Sequence, residues 1–130
     1  MTETRRPARR GQQAEADELL MRRAVELSDL YLGGLAQPES VRWVSNQRTR
    51  WGSCTPGDRS IRLSERLTRM PDWVVDYVLV HELAHLLEPQ HDDKFWAWVS
   101  HYPLAEKAKG YLIGWSDASR VPHPPADHSG

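Results

Sequence analysis

His81-Glu82-Leu83-Ala84-His85 places two imidazoles four positions apart with a carboxylate directly after the first. On a helix, positions four apart share a face one turn apart, so both rings can reach a single ion. Glu82 then sits about 100° round from His81 and about 60° from His85. It flanks such an ion without ligating it. From there a carboxylate can take a proton from a metal-bound water and deliver it to a leaving amine. Imidazole donors and an adjacent general base suit Zn2+, which brings the pKa of its water toward about 7.

A catalytic zinc takes three protein ligands and keeps one position open. The sequence offers three candidates for the third. His91 lies six residues past His85, beyond Pro89, where the chain can turn back. That spacing equals one known pattern, His-Glu-x-x-His-x-x-Gly-x-x-His, with Glu88 where the pattern has glycine. Glu106 is about twenty residues downstream, where a following helix can supply a glutamate, and His101 fits neither spacing. Spacing ranks His91 first and Glu106 second. Cys54 is a possible fourth ligand, although an idle or buried thiol is the commoner fate. Tyr102 or Tyr111 could donate to an oxyanion, and the spacing selects neither.

The elements that must position these groups follow from local pattern. Pro71 and Asp72 suit a helix start, and Trp73 to Val80 is apolar nearly all round, which predicts a deeply buried helix. Pro89 bounds it. Asp92 and Asp93 read as caps for a helix carrying Phe95, Trp96 and Trp98, residues expected in the core and the cleft wall. A shorter helix is expected over Ala105 to Lys109. Upstream, residues 13–32 form a helix with Leu20, Ala24, Leu27 and Tyr31 on one stripe, stopped by Gly33-Gly34. Residues 41–51 read as one extended segment. Thr55-Pro56-Gly57-Asp58 is strong turn chemistry, so a hairpin to a strand through Ile61 and Leu63 is expected. Trp51 would pack on the helix while Gly52 permits close backbone approach, or Arg50 and Trp51 would line a cleft.

At 130 residues the chain has room for one domain. We expect a basic disordered arm over 1–12, a folded domain over 13–115 and a disordered tail over 116–130, where His123 and His128 are solvated. The net charge of -1 does not require a polyanionic partner, though Arg5, Arg6, Arg9 and Arg10 cluster at the start and more arginines populate the middle. Cys54 is the one cysteine, which excludes an internal disulfide. An arginine-rich start without an apolar core is not a secretory signal, and no stretch reaches the length of a membrane span. A cytoplasmic protein is expected, with no membrane partner and an oligomeric state that the sequence leaves open.

Arg48-Thr49-Arg50-Trp51-Gly52-Ser53-Cys54, Asp76-Tyr77-Val78 leading into the His81–His85 motif, His91, and Phe95-Trp96 occur in an order that resembles the YgjP-type metallopeptidase domain, a relative of the SprT-like zincins. The resemblance covers roughly residues 41–102. It implies an α+β, zincin-like fold in which a small antiparallel sheet packs on helices around a central metal-binding helix. It also implies that His81, His85 and His91 hold zinc, that Glu82 is the catalytic acid/base, and that the substrate is a peptide or protein. An edge strand beside the ion could hold an extended peptide by strand addition. The competing reading is a zinc-stabilised binding module, contacting nucleic acid through its arginines without turnover.

Overall fold

The run from Trp73 to Val80 leaves no polar side to turn toward water, and a helix so built is stable only inside the molecule. A computed structural model, which describes residues 5–45, 47 and 49–119, places it there. In chain order the elements are α1 (Arg5–Tyr31), β1 (Ser40–Val44), β2 (Gly52–Thr55), β3 (Ser60–Ser64), a 3-10 turn (Glu65–Arg69), α2 (Asp72–Ala84), α3 (Asp93–Val99) and α4 (Ala105–Ser119). From Tyr77 to Ala84 every residue of α2 is buried. Helix α1, the sheet, α3 and α4 all pack around it.

Helix α1 buries Leu20, Ala24 and Leu27 against α2 and β1. It closes with two left-handed glycines, Gly33 at φ 65 and Gly34 at φ 70, and the Gly34 N–H donates to Ser28 O at 2.9 Å. The Ser28 carbonyl also accepts from the Leu32 N–H, so the left-handed Gly-Gly pair folds the chain back over the last turn and stops the helix. At its other end the helix starts earlier than expected. Residues 5–12, read as part of an irregular arm, are helical, and residues 1–4 lie outside the described residues. Alanine, arginine and glutamine favour a helix, and Pro7 falls in the first turn, where it is tolerated.

The sheet has the order β1-β3-β2. Strands β2 and β3 form the expected hairpin, with Ser53 opposite Arg62 and Cys54 opposite Ile61. The sheet is mixed rather than antiparallel, because β1 runs parallel to β3, with Val41 beside Ile61 and Trp43 beside Leu63. The stretch 41–51 is therefore two elements. The chain leaves β1 at Val44 beside Ser64 and enters β2 at Gly52 beside Leu63, so residues 45–51 pass the end of β3 instead of continuing a strand, which explains the imperfect alternation.

Helix α4 reaches Ser119, well past the expected Lys109, so residues 116–119 of the expected tail are helical; residues 120–130 lie outside the described residues. Ala105, Ala108 and Leu112 are buried on one stripe, and the Trp115 ring meets Trp51 edge-on at 5.2 Å. Gly110 and Gly114 hide this helix from a propensity reading. Between α1 and α2, the Arg23 Nε donates to Asp76 Oδ1 at 2.9 Å and Nη2 donates to Oδ2 at 2.6 Å. This fork clamps the long helix to the buried one a turn before His81.

Candidate metal centre

His81 lies in the last turn of α2, and His85 caps the helix C-terminus. The chain then turns tightly, with Leu86 N–H donating to Leu83 O and Leu87 N–H to Ala84 O. Pro89 follows the turn, and the helix has already stopped at Ala84, four residues short of the limit that the proline sets. His91 comes back on the loop before α3. The Asp92 carboxylate fixes the start of α3 by accepting from the Phe95 N–H at 3.0 Å. That cap sets the direction of the loop carrying His91.

The outcome is a cluster. One ligand atom from each of His81, His85 and His91 lies within 4.8 Å of the others. His85 Nε2 and His91 Nε2 are 3.0 Å apart, and His85 Nδ1 is 3.3 Å from Glu88 O. An Nδ1–H donating to that carbonyl leaves the His85 Nε2 lone pair turned toward His91. Burial lowers the pKa of His85, with His81 and His91 adding to the shift and Glu82 opposing it. A neutral imidazole is the form that binds a metal.

Aromatic rings hold the three imidazoles. Phe95 stacks on His85 at 4.4 Å and meets His81 and His91 edge-on, each at 4.9 Å. Trp96 lies nearly parallel to His91 at 5.8 Å. The Phe-Trp pair, expected as core and cleft wall, walls this cluster.

Glu82 is the least ordinary residue of the group. It is 0% exposed, Oε2 lies 3.2 Å from His81 Nδ1, and Oε1 has no hydrogen-bond partner among the described residues. A carboxylate buried with one oxygen unpaired costs several kcal/mol, on the order of 1–3 for the missing bond alone. Such an atom marks a place where a cation or a polar ligand belongs. The donor set agrees. Two imidazole nitrogens on one zinc at about 2.0–2.1 Å and tetrahedral angles stand about 3.3 Å apart, near the observed 3.0 Å. These residues could hold a zinc ion.

The other candidates are elsewhere. Glu106 is exposed and pairs with Lys109 at 3.7 Å. His101 Nδ1 lies 2.9 Å from Tyr31 O, at the end of α1. The Tyr102 hydroxyl donates to Trp73 O at 2.8 Å, and Tyr111 packs on Trp73 at 5.6 Å. Trp73 is eight residues before His81, about 12 Å along a helix, so neither tyrosine serves an oxyanion at the cluster. Cys54 faces α2 from β2 but is not part of the histidine group; burial, with the Glu82 charge adding, pushes its thiol up to about 12. Trp51 is buried and carries Arg66 at 4.1 Å, a packing role, while Arg50 is exposed. Arg48, His123 and His128 lie outside the described residues. Sequence reasoning missed the fixing of His91 by Phe95 and Trp96. Its signal was their spacing, which brings both rings back toward the loop.

Residues 4–112 match the YgjP-like metallopeptidase domain. The chain belongs to that family. As a YgjP-like metallopeptidase it is a peptidase acting on peptides or proteins, and its family implies a metal ion, for which the three histidines are available. No curated protein matches the chain. Among solved structures, the metallopeptidase zymogen abylysin of Pyrococcus abyssi is similar in fold, with a TM-score of 0.64 and 22% identity over 78% of this chain and 96% of that one. No helix among the described residues is long and apolar enough to cross a membrane.

Proposed function

We propose that this YgjP-like metallopeptidase is a zinc enzyme of the His-Glu-x-x-His type, with His81, His85 and His91 as ligands and Glu82 as the general acid/base. The observation that carries the reading is Glu82 itself, fully buried beside three converging imidazoles with Oε1 unpaired. Zinc supplies a Lewis acid and a water whose pKa falls toward about 7.

The chain's own residues account for the rest. His85 is held neutral by burial, and the Glu88 carbonyl orients its ring. Phe95 and Trp96 keep water away from the imidazole faces. Glu82 Oε1 accepts the proton of the attacking water and later passes it to the departing amine, while Oε2 stays anchored near His81 Nδ1. Among the described residues β2 has no strand on its outer edge, so that edge can present backbone donors and acceptors to an extended peptide, which supports strand addition as the mode of substrate binding.

The test is Glu82→Gln. We expect the zinc content of wild type, measured by elemental analysis, and a loss of peptide hydrolysis of about 10²–10⁴-fold, the usual contribution of a general acid/base. Retention of full turnover ends the reading.

A further inference from the structure

Strand β2 runs beside the catalytic helix and pairs on one side only. Among the described residues its sole partner is β3. A Cβ at Gly52 would lie 3.0 Å from Val78 Cγ1, and Val78 is one turn before Glu82. Two residues further along the strand, Cys54 turns toward the same helix. Side chains alternate along a strand, so Ser53 and Thr55 point to the opposite face of the sheet, which Arg62 shares through its pairing with Ser53.

Arg62 belongs to β3, yet its guanidinium is carried over β2. Nε donates to Ser53 Oγ at 3.0 Å, Nη2 to Thr55 Oγ1 at 2.8 Å and Nη1 to Ser60 Oγ at 3.0 Å. All three acceptors are neutral hydroxyls. Arginine has five N–H donors, so two remain without a partner among the described residues. Arg42 lies beside Arg62 in register on β1. Like charges side by side are unfavourable without an anion. Asp58, at the hairpin tip, lies close enough to feel the Arg62 charge, but it accepts from the Ser60 N–H and hydroxyl, and no N–H of Arg62 donates to it.

A guanidinium pinned at the strand edge, with unpaired N–H groups and no carboxylate bonded to it, is prepared for an anion. A peptide added to β2 lies about 4.8 Å from that strand and sends alternate side chains to the face that carries the guanidinium. We infer that Arg62 selects an acidic side chain, aspartate or glutamate, in the peptide substrate, at a position whose side chain lies on the sheet face away from α2. The inference rests on the proposed binding of substrate along β2.

Binding decides it without turnover. Zinc-loaded Glu82→Gln protein is titrated, by fluorescence anisotropy, with labelled twelve-residue peptide mixtures that carry one fixed Glu, Ala or Lys. We expect the Glu set to bind about fivefold to tenfold tighter than the Ala set, the Lys set to bind weakest, and high salt to shrink the difference. Adding Arg62→Gln should erase the ranking, and Arg62→Lys should keep part of it. Three results overturn the inference: equal binding of Glu and Ala sets at low salt, no measurable peptide binding, or an Arg62-dependent displacement of peptide by a short single-stranded oligonucleotide. Failure of the peptidase reading is a separate result, absence of cleavage by the Glu82-containing enzyme whatever the binding shows.

Discussion

His85 Nε2 and His91 Nε2 face each other at 3.0 Å although one belongs to a helix end and the other to a loop six residues on. Two ring nitrogens so placed either share a proton or share a cation. If they share zinc, His91→Ala protein should lose its metal on dialysis while Glu106→Ala protein keeps it, because Glu106 is exposed and paired with Lys109. Metal content by elemental analysis checks this, and equal retention in both variants would count against His91. Protons compete for the same atoms. The metal should therefore leave as pH falls through the range in which the histidines take up protons, and return on raising it.

The unpaired Glu82 oxygen predicts a conflict between stability and activity. In metal-free protein the buried carboxylate is a burden, so Glu82→Leu should raise the stability of the apo form by about 1–3 kcal/mol. The same change should abolish hydrolysis. Urea unfolding of both proteins in the presence of chelator measures the first effect, and a less stable variant would mean that Glu82 is satisfied in a way that its geometry does not reveal.

Much of this site was legible because helical periodicity fixes relative position over a few residues. His81, His85 and Glu82 needed nothing beyond 3.6 residues per turn and an apolar run that demanded burial. His91 needed more. Spacing left Glu106 and His101 open, and what brings His91 to the other two imidazoles is Asp92 capping α3 and Phe95 stacking on His85, contacts that a linear pattern does not carry. The β1–β3 pairing was invisible for a related reason. A parallel pair is joined through intervening chain rather than a turn, so no local signal marks it. Helix α4 was underestimated since Gly110 and Gly114 weaken local propensity, whereas Trp115 on Trp51 and the buried Leu112 hold it in place.

Gly52 stands where β2 crosses α2. A Cβ there would meet Leu63 Cδ2 at 2.9 Å, Val78 Cγ1 at 3.0 Å and the Arg62 carbonyl at 3.2 Å. The leucine and valine tips can give way, but the carbonyl belongs to the paired strand. Gly52→Ala should cost about 1–3 kcal/mol, lowering Tm by several degrees, and should loosen the β2 edge. A thermal melt that matches wild type would show that the strand moves aside freely.

Cys54 should be a poor nucleophile. Its pKa is pushed up to about 12, first by burial and then by Glu82. The unfolded thiol ionises near 9.0 while the folded one holds its proton to about 12, so stability is full below 9.0 and declines as pH rises beyond it. Alkylation by iodoacetamide at pH 8 should accordingly be slow in folded protein and fast in denaturant. Equal rates in the two states would show the thiol to be exposed.

Arg23 and Asp76 offer the last test, one that separates the frame from the chemistry. The Asp76 carboxylate is 11% exposed and accepts both branches of the Arg23 guanidinium, itself 42% exposed. Removing the arginine leaves a nearly buried carboxylate without its partner, whereas removing both leaves neither. Arg23→Met alone should cost about 1–3 kcal/mol, discounted from the fully buried case because the guanidinium reaches solvent. Arg23→Met with Asp76→Leu should recover most of it. Zinc content should be unchanged in both, since the clamp lies a turn before His81 and touches no histidine. Chemical denaturation and elemental analysis of the single and double variants read the two effects separately. Loss of metal in the double variant would mean that α1 holds the helix in its zinc-binding position as well as in the fold.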